Sequence, residues 1–452
     1  MNSLHFKESL ISAHHSVDAQ SVHQTLKKYM LVDGFDFVLD LQKSHGVYFV
    51  DAKTNNTYLD FFSFFASSAL GMNHPKMNTE EFKEQLVVAA MHKPSNSDIY
   101  TTQMAEFVET FGTIAKPDHF KYLFFVDGGT LAVENGLKVA FDWKVRKNFK
   151  KGYTKEVGTK VLHFKEAFHG RSGYTLSLTN TDPNKINYFP KFDWPRVGNP
   201  KIIFPVDDNL NKIIKSEEQA ISEIKEAIIK NPDEIAVIII EPIQGEGGDN
   251  FFRKEFFQKL RKIADDNEIL LMFDEVQAGM GITGKMWASE HYVMPDIISF
   301  GKKAQVCGIM VSSRIDDIEE HCFRKSSRIN STWGSNLPDM VRSTRILQIM
   351  EEDQVLHHVN DVGNFLLNQL QILQLEFPEM IDSARGLGLM CSFDFKSVEL
   401  RNKYIKECYN RKLLQLGCGS KSVRFRTPLI ITKDELDEGL KIIRNVLIFL
   451  RK

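Results

Sequence analysis

The sequence predicts an α/β protein built on a mostly parallel sheet with helices on both faces. Two observations carry that expectation. Short, continuous apolar runs alternate with helical patterns through the middle of the chain, the order that parallel strands and their crossover helices produce. Two of those runs, Ile269-Leu270-Leu271-Met272-Phe273 and Ile297-Ile298-Ser299-Phe300, lead directly into ionisable residues, Asp274 and Lys302. Neighbouring parallel strands with a carboxylate and a lysine at their carboxyl ends place both in the crevice where open α/β sheets bind ligands.

In chain order, Val47-Tyr48-Phe49-Val50-Asp51 and Thr57-Tyr58-Leu59-Asp60-Phe61 are strand-like runs joined by the polar turn Ala52-Lys53-Thr54-Asn55-Asn56, which reads as a hairpin. The aromatic, small-residue stretch 61–75 lacks periodicity and fits either a buried loop or the wall of a ligand pocket or subunit interface. Lys121-Tyr122-Leu123-Phe124-Phe125-Val126 is a buried strand, Asp127-Gly128-Gly129-Thr130 a tight turn, and 131–144 a helix. A Gly-Gly-Thr turn at a helix N-terminus exposes backbone N–H groups and the positive end of the dipole, which suits a phosphate. The same residues also serve as a plain turn and N-cap.

A strand at 160–164 follows, then a helix at 217–230 with Ile221, Ile224 and Ile228 on one face, a strand at 235–240 and a helix at 254–265. After the strands at 269–273 and 297–300 the texture changes to long helical patterns. A small α+β lobe closes the chain, with strands at 390–395 and 423–426 and a helix over 433–450. The expected division is a small N-terminal lobe at 1–75, a large domain at 76–345 and a small C-terminal domain at 346–452, with the boundary in the helical stretch 338–371.

A lysine at the end of an apolar strand is a candidate covalent nucleophile, because apolar surroundings lower its pKa and leave more of it neutral. A solvated charge fits the same position, and Asp274 alone fits a strand-end cap. Lys303 competes with Lys302 for the role.

Composition narrows the function classes. At 452 residues, 42% hydrophobic and 26% charged, the chain has the make-up of an ordinary globular protein large enough for more than one domain. A formal net charge of −2 offers no basic face for nucleic acid. No run approaches the roughly 20 apolar residues of a bilayer span, and Met1-Asn2-Ser3-Leu4-His5-Phe6-Lys7-Glu8 has no signal-peptide core, so a cytoplasmic location is expected. The five cysteines include no CxxC pair and no histidine at metal-ligand spacing, which points to reduced, packed thiols and no metal site. Asp127-Gly128-Gly129-Thr130 lacks the spaced glycines of GxGxxG, which argues against a nicotinamide dehydrogenase.

Class-level motifs run from Asp51 to Pro428: Leu59-Asp60-Phe61, Gly71-Met72-Asn73-His74-Pro75, Phe168-His169-Gly170-Arg171, Glu241-Pro242-Ile243-Gln244-Gly245-Glu246-Gly247-Gly248, Asp274-Glu275-Val276-Gln277 and Gly301-Lys302. Together they resemble the class III aminotransferases of the pyridoxal-phosphate fold type I group. Three stretches depart from the class pattern: Asp127-Gly128-Gly129-Thr130, Lys303-Ala304-Gln305-Val306-Cys307-Gly308 and Asn330-Ser331-Thr332-Trp333-Gly334. They resemble the lysine-specific members of the class.

The resemblance implies pyridoxal 5′-phosphate as cofactor, held in the large domain. Pro295-Asp296 followed by Gly301-Lys302 matches the class pattern and assigns the cofactor lysine to Lys302. Asp274 is then the partner of the ring nitrogen, Val276 and Gln277 lie against the ring and its 3′-oxygen, and Phe168 stacks on the other face. Gly129 and Thr130 hold the phosphate with Thr332 of a second subunit, which implies a homodimer with shared active sites. The implied partners are L-lysine, 2-oxoglutarate and L-glutamate in a ping-pong exchange. Arg171 anchors the distant carboxylate of lysine with help from Asn330, and Arg424, masked by Glu246, is uncovered for the dicarboxylate. A fixed Glu246–Arg424 ion pair is the alternative. Other ω-aminotransferases of the class, acting on ornithine or 4-aminobutyrate, and a non-catalytic cofactor-binding homologue are the competing readings.

Overall fold

The computed structural model describes residues 17–451, so the N-terminal octapeptide judged above lies outside them. The expected hairpin forms from β1 (Tyr48–Val50) and β2 (Thr57–Asp60), paired antiparallel. A larger sheet takes its strands from the middle of the chain: β3 (Phe120–Val126), β4 (Lys160–Phe164), β5 (Arg196–Val197), β6 (Ile235–Ile240), β7 (Leu270–Asp274), β8 (Ile297–Phe300) and β9 (Cys307–Ser312). These make a seven-stranded sheet in the order β3-β9-β8-β7-β6-β4-β5. The pairs from β8 across to β5 are parallel, and β9 runs antiparallel to both β8 and β3. The fold is α/β, with the mostly parallel sheet that the alternation predicts.

The central strands are buried along their whole length, which is why they read as unbroken apolar runs. Alternate side chains feed two cores on opposite faces. Ile238, Leu271, Phe273 and Ile298 join one, and Val237, Ile239, Leu270 and Met272 the other. The helix Gly129–Lys150 packs on the second face at close range: a Cβ on Gly136 would come within 2.6 Å of Met272 Cε.

That helix begins two residues before the expected start and runs six beyond the expected end, to Lys150. The helix Val206–Lys230 starts eleven residues before the 217 read from the sequence. Its first turns bury little, so no apolar stripe marks them; Pro205 precedes them, and Asp207 and Asp208 complement the helix dipole. The helical stretch 338–371 resolves into two helices, Leu337–Glu352 and Val355–Glu376.

Beyond them, β10 (Ile381–Leu387), β11 (Met390–Phe395), β12 (Leu413–Leu414), β13 (Leu416–Cys418) and β14 (Ser422–Phe425) complete the strands, and Lys433–Arg451 is the closing helix. Four of them form a sheet in the order β10-β11-β14-β13, while β12 pairs in parallel with β2. The N-terminal hairpin is therefore hydrogen-bonded to the C-terminal part of the chain.

The stretch 61–75 is both of the things expected of it. Phe61, Ala66, Ala69 and Leu70 are buried, whereas Phe64 and Phe65 are exposed. Ser63, Phe64, Phe65 and Ala66 all have positive φ, between 41° and 69°, a conformation that side chains with a Cβ adopt at a cost. Buried Asp60 secures the turn by accepting from Phe62 N at 2.9 Å and Ser63 N at 2.7 Å.

Candidate active site

The C-terminal ends of β3, β4, β6, β7 and β8 open on one cavity of about 840 Å³. The first contributes Gly129 and Thr130, the second Phe168 to Arg171, the third Glu241 and Glu246, the fourth Asp274, Val276 and Gln277, and the last Lys302. Because β9 is antiparallel, its first residue, Cys307, lies at the same end. Arg424 of β14, Phe64 and Phe65 of the left-handed turn and Ser67 just after it complete the wall.

The two adjacent lysines have different surroundings. Lys302 lines the cavity, with Nζ donating to the carbonyl of Phe65 at 2.9 Å. Burial, reinforced by the charges of Arg424 and Arg426, lowers its pKa to about 8. Lys303 is buried away from the cavity and donates to the carbonyls of Ala66 at 3.0 Å and Gln277 at 3.2 Å. Gln305 Nε2 donates to Ser67 O at 2.9 Å. The Lys-Lys-Ala-Gln segment is thus matched to three successive carbonyls, Phe65 to Ser67, at the end of the left-handed turn, and only its first lysine is presented to the cavity.

Asp274 is held as an acceptor from three sides. His169 Nδ1 lies 2.8 Å from Oδ2, while Oδ1 accepts from Val276 N at 3.1 Å and Ser299 Oγ at 3.3 Å. Beside it, burial pushes Glu241 up to about 7, and its oxygens accept from the backbone of Phe168 and Gly245, each at 3.0 Å. Glu241 therefore serves as a brace between two cavity loops.

The first turn of the Gly129–Lys150 helix carries no side-chain cap, so its N–H groups face outward from the dipole's positive end. A Cβ on Gly129 would come within 2.9 Å of Val276 Cγ1, so only glycine leaves this approach open. Thr130 Oγ1 lies 3.0 Å from Ser172 Oγ and 2.7 Å from Thr175 Oγ1. Gln277 is oriented from behind by Arg426, which donates to its side-chain oxygen from Nε at 3.1 Å and Nη2 at 2.9 Å.

The charged side of the cavity centres on Glu246. One oxygen accepts from Arg424 Nη1 at 3.3 Å and the other is ion-paired with Lys185. Burial alone would raise its pKa, but Arg424 and Lys185 together hold the carboxyl below its ordinary value. Arg171 is exposed and makes no ion pair with any other described residue.

The structure thus gathers Gly129, Thr130, Phe168, Arg171, Glu246, Asp274, Val276, Gln277, Lys302 and Arg424 around one cavity. It leaves Asn330 and Thr332 outside it in the single chain: both are exposed, and Thr332 O accepts from Ser95 Oγ at 2.6 Å. Sequence reasoning missed His169, Glu241, Lys185, Cys307 and Arg426. His169 and Glu241 stand inside quoted motifs, and Arg426 lies two residues after Arg424, on the same face of an extended segment. Lys185 carries no sequence signal.

Comparison with known proteins places the chain in a family. The family described as aminotransferase class-III matches residues 29–447. The chain is 47% identical to an L-lysine-epsilon aminotransferase of Mycobacterium tuberculosis, over 94% of this chain and 95% of the relative. It is 46% identical to one of Streptomyces clavuligerus, over 94% of each. The solved structure of the lysine aminotransferase from M. tuberculosis in the internal aldimine form superposes with a TM-score of 0.94 at 46% identity, covering 96% of this chain and all of that one.

Proposed function

This chain belongs to the class-III aminotransferases, the pyridoxal 5′-phosphate-dependent transaminases of fold type I, and on that premise we propose that it is an L-lysine 6-aminotransferase. It transfers the ε-amino group of L-lysine to 2-oxoglutarate. The products are L-glutamate and 2-aminoadipate 6-semialdehyde, which cyclises to 1-piperideine-6-carboxylate.

The residues fit the cofactor. The uncapped helix N-terminus and the space kept by Gly129 suit a phosphate, Asp274 is fixed as an acceptor for a ring nitrogen, and Lys302 is the cavity amine with a depressed pKa. When bound, the cofactor supplies the carbonyl that takes the amino group and the ring that accepts electrons released at the substrate carbon. Lys302 would anchor it between turnovers and move the proton at the substrate carbon. Asp274 keeps the ring nitrogen protonated, a role that His169 supports by holding the carboxylate in place. Phe168 and Val276, which line the cavity, would enclose the ring, and Gln277 would donate to its 3′-oxygen. Gly129, Thr130 and, across a homodimer interface, the partner subunit's Thr332 would hold the phosphate.

The observation that carries the substrate assignment is the unequal state of two arginines in one cavity. Arg171 is unpaired among the described residues, whereas Arg424 is masked by Glu246 at 3.3 Å. A donor that reacts at its terminal amine must be anchored by its distant carboxylate, which Arg171 would hold, with the partner subunit's Asn330 reaching it across the homodimer interface. The second half-reaction needs a cation near the reacting carbon, and uncovering Arg424 supplies it.

The same reading divides the chain into a small-domain lobe at 1–75, a cofactor-binding large domain at 76–345 and a C-terminal small domain at 346–452, and places the enzyme in the cytoplasm. No described helix is long and apolar enough to cross a membrane.

The test is an absorbance scan of the purified, cofactor-loaded protein before and after adding L-lysine without keto acid. Bleaching of the visible band with release of the cyclic imine is the expected result. Bleaching by ornithine or 4-aminobutyrate but not lysine would move the substrate within the class.

A further inference from the structure

We propose that Lys185 is a specificity-determining residue, the second holding point on which Glu246 remains when it lets go of Arg424. The inference rests on the two-substrate reading above. Glu246 divides its oxygens between two cations, Oε1 on Lys185 and Oε2 on Arg424. Each cation also lies over an aromatic face, Lys185 Nζ 5.6 Å from the centre of the Phe168 ring and the Arg424 guanidinium 5.5 Å from that of Phe65. The carboxylate therefore bridges two preassembled cationic sites that both line the cavity.

The backbone around Glu246 cannot carry the motion. A Cβ on Gly245 would fall 2.3 Å from Gln277 Oε1 and one on Gly247 2.1 Å from Glu166 O, so the glycines on either side are pressed against fixed neighbours. Glu246 O accepts from Gly419 N at 2.8 Å. Rotation of the side chain is the remaining freedom. A carboxylate that left Arg424 with no second partner would be stranded in a half-buried site, which is costly. A carboxylate that pivots on Lys185 stays paired throughout. The charge balance agrees: with Glu246 held by Lys185, Arg171 and Arg424 both face the cavity as free cations, matching the two carboxylates of 2-oxoglutarate.

The test uses the holoenzyme and two unreactive ligands, glutarate as the dicarboxylate and hexanoate as a monocarboxylate, with binding read by titration calorimetry. Lys185→Met is expected to weaken glutarate at least tenfold and leave hexanoate within twofold. In steady state it should raise KM for 2-oxoglutarate more than KM for lysine, with Lys185→Arg restoring both. Unchanged glutarate binding, or an equal loss for both ligands, would overturn the role of Lys185 alone. A wild-type protein that binds neither and does not bleach with lysine would overturn the substrate reading beneath it.

Discussion

Arg426 spends two of its five N–H donors on the side-chain oxygen of Gln277, at 3.1 and 2.9 Å. The others go to the carboxylate of Asp249 and, at 2.8 Å, to Phe425 O. The guanidinium is completely buried and completely satisfied. It fixes which end of the Gln277 amide faces inward, so the amide nitrogen is the group left to donate to a ligand oxygen.

Removing that arginine strands a buried aspartate. Arg426→Met is expected to cost about 3–5 kcal/mol, the usual penalty for breaking a buried pair from one side. Urea denaturation of the variant and the parent measures it. A loss under about 1 kcal/mol would show that water replaces the guanidinium.

The two adjacent lysines separate cleanly. Lys302→Ala should reduce turnover by at least about 10³, within the range that a positioned proton-transfer group supplies. Lys303→Met should instead lower stability by about 1–3 kcal/mol, because two buried carbonyls lose their donor. Borohydride reduction and peptide mapping provide the direct check: the cofactor is expected on residue 302 in the parent and in Lys303→Met. A label on residue 303 would reverse the assignment.

A pKa of about 8 for Lys302 sets a pH profile. Only the neutral amine is a nucleophile, so the rate at which the apoprotein captures cofactor should rise about tenfold per pH unit below 8 and level off above it. An ordinary lysine, with a pKa near 10.4, would keep gaining beyond about pH 10. Arg424→Ala removes a charge that depresses the amine and should move the plateau to higher pH.

Glu246→Ala should leave bound cofactor intact and damage discrimination. With Arg424 unmasked, the ratio of kcat/KM for L-lysine to that for L-glutamate is expected to fall at least about tenfold, on the scale of the ~1.5–3 kcal/mol of a charged hydrogen bond. Paired half-reaction kinetics read the ratio. Loss of cofactor with an unchanged ratio would mark the ion pair as a fixed brace.

Asp60 is expected to matter well beyond its own position. Asp60→Ala removes the acceptor of two buried amides and should cost about 1–3 kcal/mol per group, seen as a lower Tm. The left-handed turn it secures supplies the carbonyl that Lys302 Nζ meets, so cofactor capture should slow as well.

The sequence by itself determined the α/β class, the strands that lead to Asp274 and Lys302, the glycine turn before Thr130 and the family. Those features are local: a buried parallel strand must be apolar along its length, and a motif keeps its spacing along the chain. Tertiary structure decided which residues share the cavity and what supports them. The class pattern points to Lys302, but only folding shows why Lys303 is not its rival, by giving it two carbonyls, and His169 lies 105 positions from the aspartate it holds. Lys185 sits on a four-residue helix whose start is marked by Asp182 and Pro183 but whose sequence says nothing of the site, and only folding brings its amine to the carboxylate of Glu246. Hydrogen bonds and ion pairs act over a few ångströms in space, whereas sequence patterns report only neighbours along the chain. The partners that tune this site come from segments that meet only when the large sheet, the left-handed turn and the C-terminal strands pack together.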